Sequence, residues 1–220
     1  MTPDTIFSAS IFVQLAFLFY VIGFLFRDEF WLRMLVLIGT VFYIIYYYTA
    51  ADEPLWAAIW TSVAIGAANL LMMVLILRER STLGMSKPVL GLYRWFPTLT
   101  PGQFRTLLHA AEHKTAEEDV IRCHQGGAGQ DVFLIAEGEV MIMRGSRRVA
   151  LSEGVFIGEI SFVLGGPATA TVVATAGTRY LRWDRAKLQT LTGRSPALSN
   201  SLTALFNADV ARKLSVSWPE

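Results

Sequence analysis

The chain has 220 residues, a net charge of +1 and a single cysteine. The near-neutral charge removes any global electrostatic case for nucleic-acid binding. The lone Cys123 excludes an intrachain disulfide framework or a zinc site built on cysteines, and reads as a buried, inert thiol. Hydrophobic residues make up 53% and charged residues 17%, more apolar than an ordinary soluble chain, and the excess lies before Arg78.

Three uncharged runs fill that first part. Ile6 to Phe26 is about 20 residues, enough to cross a bilayer core and longer than a secretory h-region. The Met1–Thr5 stretch before it lacks the positive charge of a signal peptide. The second run, about 18 residues between Arg33 and Asp52, ends in Tyr46, Tyr47 and Tyr48, as an interfacial aromatic belt does. The third, roughly 24 residues from Pro54 to Leu77, starts on a proline suited to a first helical position. The pattern predicts a three-helix transmembrane domain over residues 1–80.

Arg27 and Arg33 flank the first loop, Asp52 and Glu53 occupy the second, and Arg78 and Arg80 follow the third span. The positive-inside rule puts the N-terminus outside the plasma (inner) membrane and everything after Arg78 in the cytoplasm. No span carries Asp, Glu, Lys or Arg at mid-depth, so the spans read as an anchor and assembly surface in the lipid bilayer, not an ion path. Asn69 reads as interhelical glue, with Gly66, Ala67 and Ala68 allowing close helix packing.

Residues 81–97 read as a linker whose amphipathic part, Leu90 to Phe96, offers Tyr93, Arg94 and Trp95 to a membrane surface. Thr100 and Pro101 open a helix with Phe104, Leu107, Leu108 and Ala111 on one face. His109 and His113 would be neighbours one turn apart on it. Without a third ligand they read as solvated histidines, not a metal site. After Glu117 the period becomes two, and Val120 with Arg122, Val132–Ile135, Val140–Met143, Val149–Leu151, Thr171–Ala174 and Tyr180–Trp183 are predicted strands. The glycine turns between them predict a closed roll or sandwich. Arg144, Arg147 and Arg148 crowd one turn, as a solvated hairpin or, alternatively, an anionic-lipid patch. Asp184 caps a helix through Leu191. Ser195 and Pro196 begin a last one with Leu198, Leu202, Leu205, Val210 and Leu214 on its apolar side, serving as a lid on the roll or as a dimer helix.

Two segments carry a family resemblance: 126–140, Gly-Gly-Ala-Gly-Gln-Asp-Val-Phe-Leu-Ile-Ala-Glu-Gly-Glu-Val, and 156–172, Phe-Ile-Gly-Glu-Ile-Ser-Phe-Val-Leu-Gly-Gly-Pro-Ala-Thr-Ala-Thr-Val. Together they resemble the cyclic nucleotide-binding domain family over about 95 residues. The resemblance implies a jelly-roll-like β-roll with flanking helices, making residues 98–220 an α+β domain behind the α-helical membrane anchor. It also implies that 156–172 is a phosphate-binding cassette. Gly158, Glu159, Ile160 and Ser161 would form the short helix, with Glu159 accepting from a ribose hydroxyl and backbone amides, including those of Ala168 and Thr169, facing the cyclic phosphate. The family's phosphate-binding arginine falls at Ala168, a loss of about 1.5–3 kcal/mol for a charge-assisted bond. Arg179 or Arg182 could substitute from a neighbouring strand.

Three spans, the Tyr93-Arg94 linker helix and this roll also resemble the Popeye domain-containing family, including 178–188 and 208–214. Its members bind cyclic AMP and lack the cassette arginine, with Asp-Ser-Pro-Glu-Phe and Phe-Gln-Val-Thr motifs. Here Gly158-Glu-Ile-Ser-Phe162 and Ala168-Thr-Ala-Thr171 keep the final Phe and Thr without the Asp. The resemblance implies a compact, bacterial-type relative: a cyclic AMP receptor at the membrane, a homodimer, with a channel or transporter as partner. The rival reading is a structural interaction protein on a roll that has lost its ligand. No nucleophile–base pair or metal cluster stands at a recognisable spacing, so neither catalysis nor a cofactor is expected. The few residues after Leu214 leave no room for a DNA-reading helix-turn-helix.

Overall fold

The computed structural model describes residues 3–127 and 131–217, with side chains from Ser10 onward except those of 120–122 and 214–217. Ala128, Gly129 and Gln130 of the glycine-rich turn, and the Leu214 side chain, therefore lie outside the described residues. The chain divides into two units, Met1–Ser81 and Thr82–Glu220.

In the first unit, α1 (Pro3–Leu25), α2 (Glu29–Thr49) and α3 (Trp56–Arg80) follow one another through short connections. Two of them, Glu29–Thr49 and Trp56–Arg80, are long and apolar enough to cross a membrane, whereas the described apolar part of α1, Ser10–Leu25, is shorter. Contacts inside the unit fall on residues at helical spacing. Val36, Gly39 and Thr40 of α2 are buried, as are Ile59, Ser62 and Gly66 of α3. A Cβ on Gly39 would overlap the Tyr20 ring, and the Tyr20 and Thr40 hydroxyls meet at 2.9 Å. The Asn69 amide donates to Ile65 O of its own helix at 3.1 Å.

The second unit begins with α4 (Lys87–Tyr93), and the stretch after it does not present its aromatic side outward. Phe96 is fully buried, and Val89, Leu92, Tyr93 and Trp95 pack on the same core. The Tyr93 hydroxyl donates to Leu99 O at 2.8 Å, so the amphipathic face is covered by protein. α5 (Pro101–His109) opens on a full capping box between Thr100 and Gln103. It ends at His109, whereas His113 lies on β1 (Glu112–Thr115), so the two histidines are not helix neighbours. β1 is Glu-His-Lys-Thr, an edge strand paired only with β8 (Arg179–Trp183), and its polar sequence gives no period-two signal.

The remaining strands are β2 (Val120–Cys123), β3 (Val132–Glu137), β4 (Val140–Arg144), β5 (Arg147–Leu151), β6 (Phe156–Ile157) and β7 (Thr171–Ala174). They form two four-stranded antiparallel sheets, β1-β8-β3-β6 and β2-β7-β4-β5. Side-chain alternation divides the interior in two. Phe133, Ile135 and Tyr180 point between the sheets with Val140, Ile157, Val172 and Ala174. Val132, Leu134, Leu181 and Trp183 point to the helical side. Being buried on both faces, β3 reads as an unbroken apolar run. On the helical side lie α7 (Arg185–Arg194), started by Asp184, and α8 (Pro196–Ser217). Leu198, Leu202, Leu205 and Phe206 of α8 complete that core, so α8 covers the roll.

Candidate functional site

The chain turns at Gly158 between β6 and the short α6 (Glu159–Leu164). Gly158 takes φ +85°, and a Cβ there would also strike the Asp131 carbonyl oxygen. Positive φ and close backbone approach together require glycine. The turn leaves Glu159 facing inward, only 3% exposed.

All six residues singled out from the sequence, Gly158, Glu159, Ile160, Ser161, Ala168 and Thr169, line one cavity of about 260 Å³. Its floor is apolar, with Cys123, Ile142, Val149, Leu151, Ile157 and Val172. That size lies just under the roughly 300–1,000 Å³ typical of small-molecule sites, and an apolar floor with few polar groups is their usual make-up. The Ser161 hydroxyl is spent locally, donating to Gly158 O at 2.9 Å.

Glu159 has a partner that sequence reasoning did not find. Lys213 of α8 reaches into the cavity and places its Nζ 2.6 Å from Glu159 Oε1 and 2.8 Å from Asp209 Oδ2. The same ammonium donates to Phe156 O. Asp209 accepts from Phe156 N at 3.3 Å and pairs with Arg212, which donates to Gly154 O at 2.7 Å. The second half of α8 is thus strapped to β6 and the turn before it. Burial pushes the Glu159 carboxyl above its ordinary range, assisted by the Asp209 charge and opposed by Lys213. Burial likewise pushes the Cys123 thiol up, with the Glu159 charge adding to it.

Neither candidate replacement for the cassette arginine lines the cavity. Arg182 is held by Asp131 (Nε to Oδ2, 2.7 Å) and Glu112 (3.0 Å), and Arg179 pairs with Glu137 at 2.8 Å. Among the described residues, the arginines that line it are Arg144 and Arg147, at the rim of the β4–β5 hairpin. The sequence contained their signal: Arg144 stands two residues after Ile142 and Arg147 two before Val149, on the same faces of their strands. No comparable signal marked Lys213, because its meeting with Glu159 spans 54 residues of chain.

Residues 113–195 match the family described as the cyclic nucleotide-binding domain. Over 125 residues the chain is 29% identical to a Rhodopseudomonas palustris protein bearing a potassium-channel name, covering 55% of this chain and 30% of that protein. Over 96 residues it is 27% identical to a cyclic nucleotide-gated potassium channel of Rhizobium etli, covering 44% of this chain and 27% of the channel. The matches thus span less than a third of either relative. The crystal structure of a Geobacter metallireducens GS-15 protein has the same fold, with a TM-score of 0.52 at 24% identity, over 59% of this chain and 99% of that one. The roll and its family match together make residues 113–195 a domain of the cyclic nucleotide-binding type.

Proposed function

We propose that this chain is a membrane-anchored receptor for a cyclic nucleotide, cyclic AMP in the first instance, acting by conformational change and without catalysis. The observation that carries the reading is the convergence of Gly158, Glu159, Ile160, Ser161, Ala168 and Thr169 on one apolar-floored cavity of a domain of this type. In this reading Glu159 takes the ribose hydroxyl, and the 158–161 and 168–169 backbone faces the phosphate. The three uncharged runs supply the anchor, with the domain cytoplasmic. The Popeye-type layout, a homodimer and a channel or transporter as partner belong to the same proposal. It is supported by the linker helix, the apolar helices and relatives that bear channel names.

A second reading, a scaffold that no longer takes ligand, is favoured by Lys213, which already occupies the Glu159 carboxylate. Calorimetric titration of cyclic AMP and cyclic GMP into the detergent-solubilised chain separates the two. Saturable binding that Glu159→Ala weakens at least tenfold is the expected result. No heat from the wild type at millimolar nucleotide would leave the scaffold.

A further inference from the structure

The cassette wall of the cavity, residues 158–161 with 168–170, carries one charge, the Glu159 carboxylate, and no cation. Lys213, from α8, is engaged by Glu159 and Asp209. The other charged lining residues among those described, Arg144 and Arg147, come from the opposite wall. On the inner face of a half-buried hairpin, period two calls for apolar side chains, and Ile142, Val149 and Leu151 obey it. At the rim that face turns cationic instead.

Register makes the placement more pointed. Arg144 pairs directly with Arg147 across the β4–β5 ladder. Like charges set opposite each other weaken a sheet, whereas two guanidinium forks around one anion chelate it. The β4–β7 ladder runs Ile142↔Val172 and Met143↔Thr171, so Arg144 continues it towards Ala170, beside Ala168 and Thr169 on the cassette wall.

We propose that Arg144 and Arg147 form the anion clamp of this cavity and hold the phosphate of the bound nucleotide, supplying from β4 and β5 the positive charge that the cassette lacks. The proposal rests on the reading that the cavity takes a cyclic nucleotide and assigns the residues that answer its charge.

The test compares an anionic ligand with its neutral counterpart. Cyclic AMP and adenosine are titrated into the full-length chain in detergent, as wild type, Arg144→Gln, Arg147→Gln and the double variant. Both arginines are exposed, so glutamine leaves the hairpin intact. Each single change should weaken cyclic AMP about tenfold, as loss of a charge-assisted bond does, and leave adenosine within about twofold. Ala168→Arg in the double variant should restore cyclic AMP affinity. An unchanged cyclic AMP affinity in the double variant, or an equal loss for adenosine, overturns the clamp while the receptor reading stands. So does a double variant that keeps cyclic AMP but no longer binds phosphatidylserine vesicles, which would assign the arginines to a lipid headgroup. A wild type that takes up neither ligand overturns both.

Discussion

Glu159 concentrates opposing forces at one carboxylate. Lys213 favours its ionised form, but burial and the neighbouring Asp209 oppose that form more strongly, and the pKa rises. The folded chain therefore holds this proton more tightly than the unfolded chain does. Its contribution favours folding at low pH and is lost as pH rises from the ordinary carboxylate range through the raised value. Glu159→Gln mimics the protonated side chain and removes that dependence. Thermal unfolding of the two proteins should therefore converge on acidification, with the glutamine variant gaining relative stability towards neutral pH. An offset constant between pH 4 and 8 would contradict the assignment. The identity of the residue was readable from the resemblance of residues 156–172 to the cyclic nucleotide-binding cassette, and the structure adds that the turn before it needs glycine. Its partner was not, because Lys213 sits on a helix whose docking is decided by Leu202, Leu205 and Phe206 filling the helical-side core.

At the scale of elements, α8 is both wall and strap. Any ligand group that takes the Glu159 carboxylate competes with Lys213, and the same helix turn carries Asp209 and Arg212, which hold β6 and Gly154. Occupancy of the cavity and attachment of α8 are therefore linked, and a ligand shifts that equilibrium only by its preference for one state. Asp209→Asn removes the carboxylate from two ion pairs. Breaking a buried charge pair from one side is costly, so amide exchange in 205–213 should accelerate roughly tenfold or more. Saturating cyclic AMP should change exchange in that segment of the wild type. Exchange unaffected by both would detach α8 from the site. Most strands were legible because one or both faces are buried and their alternation survives in the sequence. β1 was not, since an exposed edge strand of polar residues shows no alternation, and β6 is only two residues long. The same blindness carried the α5 helix pattern too far and misplaced His113.

For the molecule as a whole, the membrane assignment rests on composition. α3 leaves Trp56, Trp60, Leu70, Leu71, Val74 and Leu77 exposed, a continuous apolar surface of the kind that marks a lipid or protein contact. Expressed in a bacterial cell, the chain should stay in the membrane fraction after carbonate extraction. With Cys123 buried, a cysteine at Asp52 should react with a membrane-impermeant maleimide on intact cells, and one at Ser146 only after lysis. Extraction into the soluble fraction would remove the anchor, and reversed labelling would invert the orientation.

By itself the sequence determined the apolar first part and the alternating strands of a roll or sandwich, because hydrophobic periodicity and turn glycines are local properties of the chain. The residues that turn into the cavity were legible through the resemblance of residues 156–172 to a known cassette. Tertiary structure alone decided which charges meet there. Lys213 reaches Glu159, Arg182 is drawn away to Asp131 and Glu112, and Arg144 and Arg147 come to the rim. Each of these depends on contacts between residues far apart in sequence, set by how sheets and helices pack and not by any spacing along the chain.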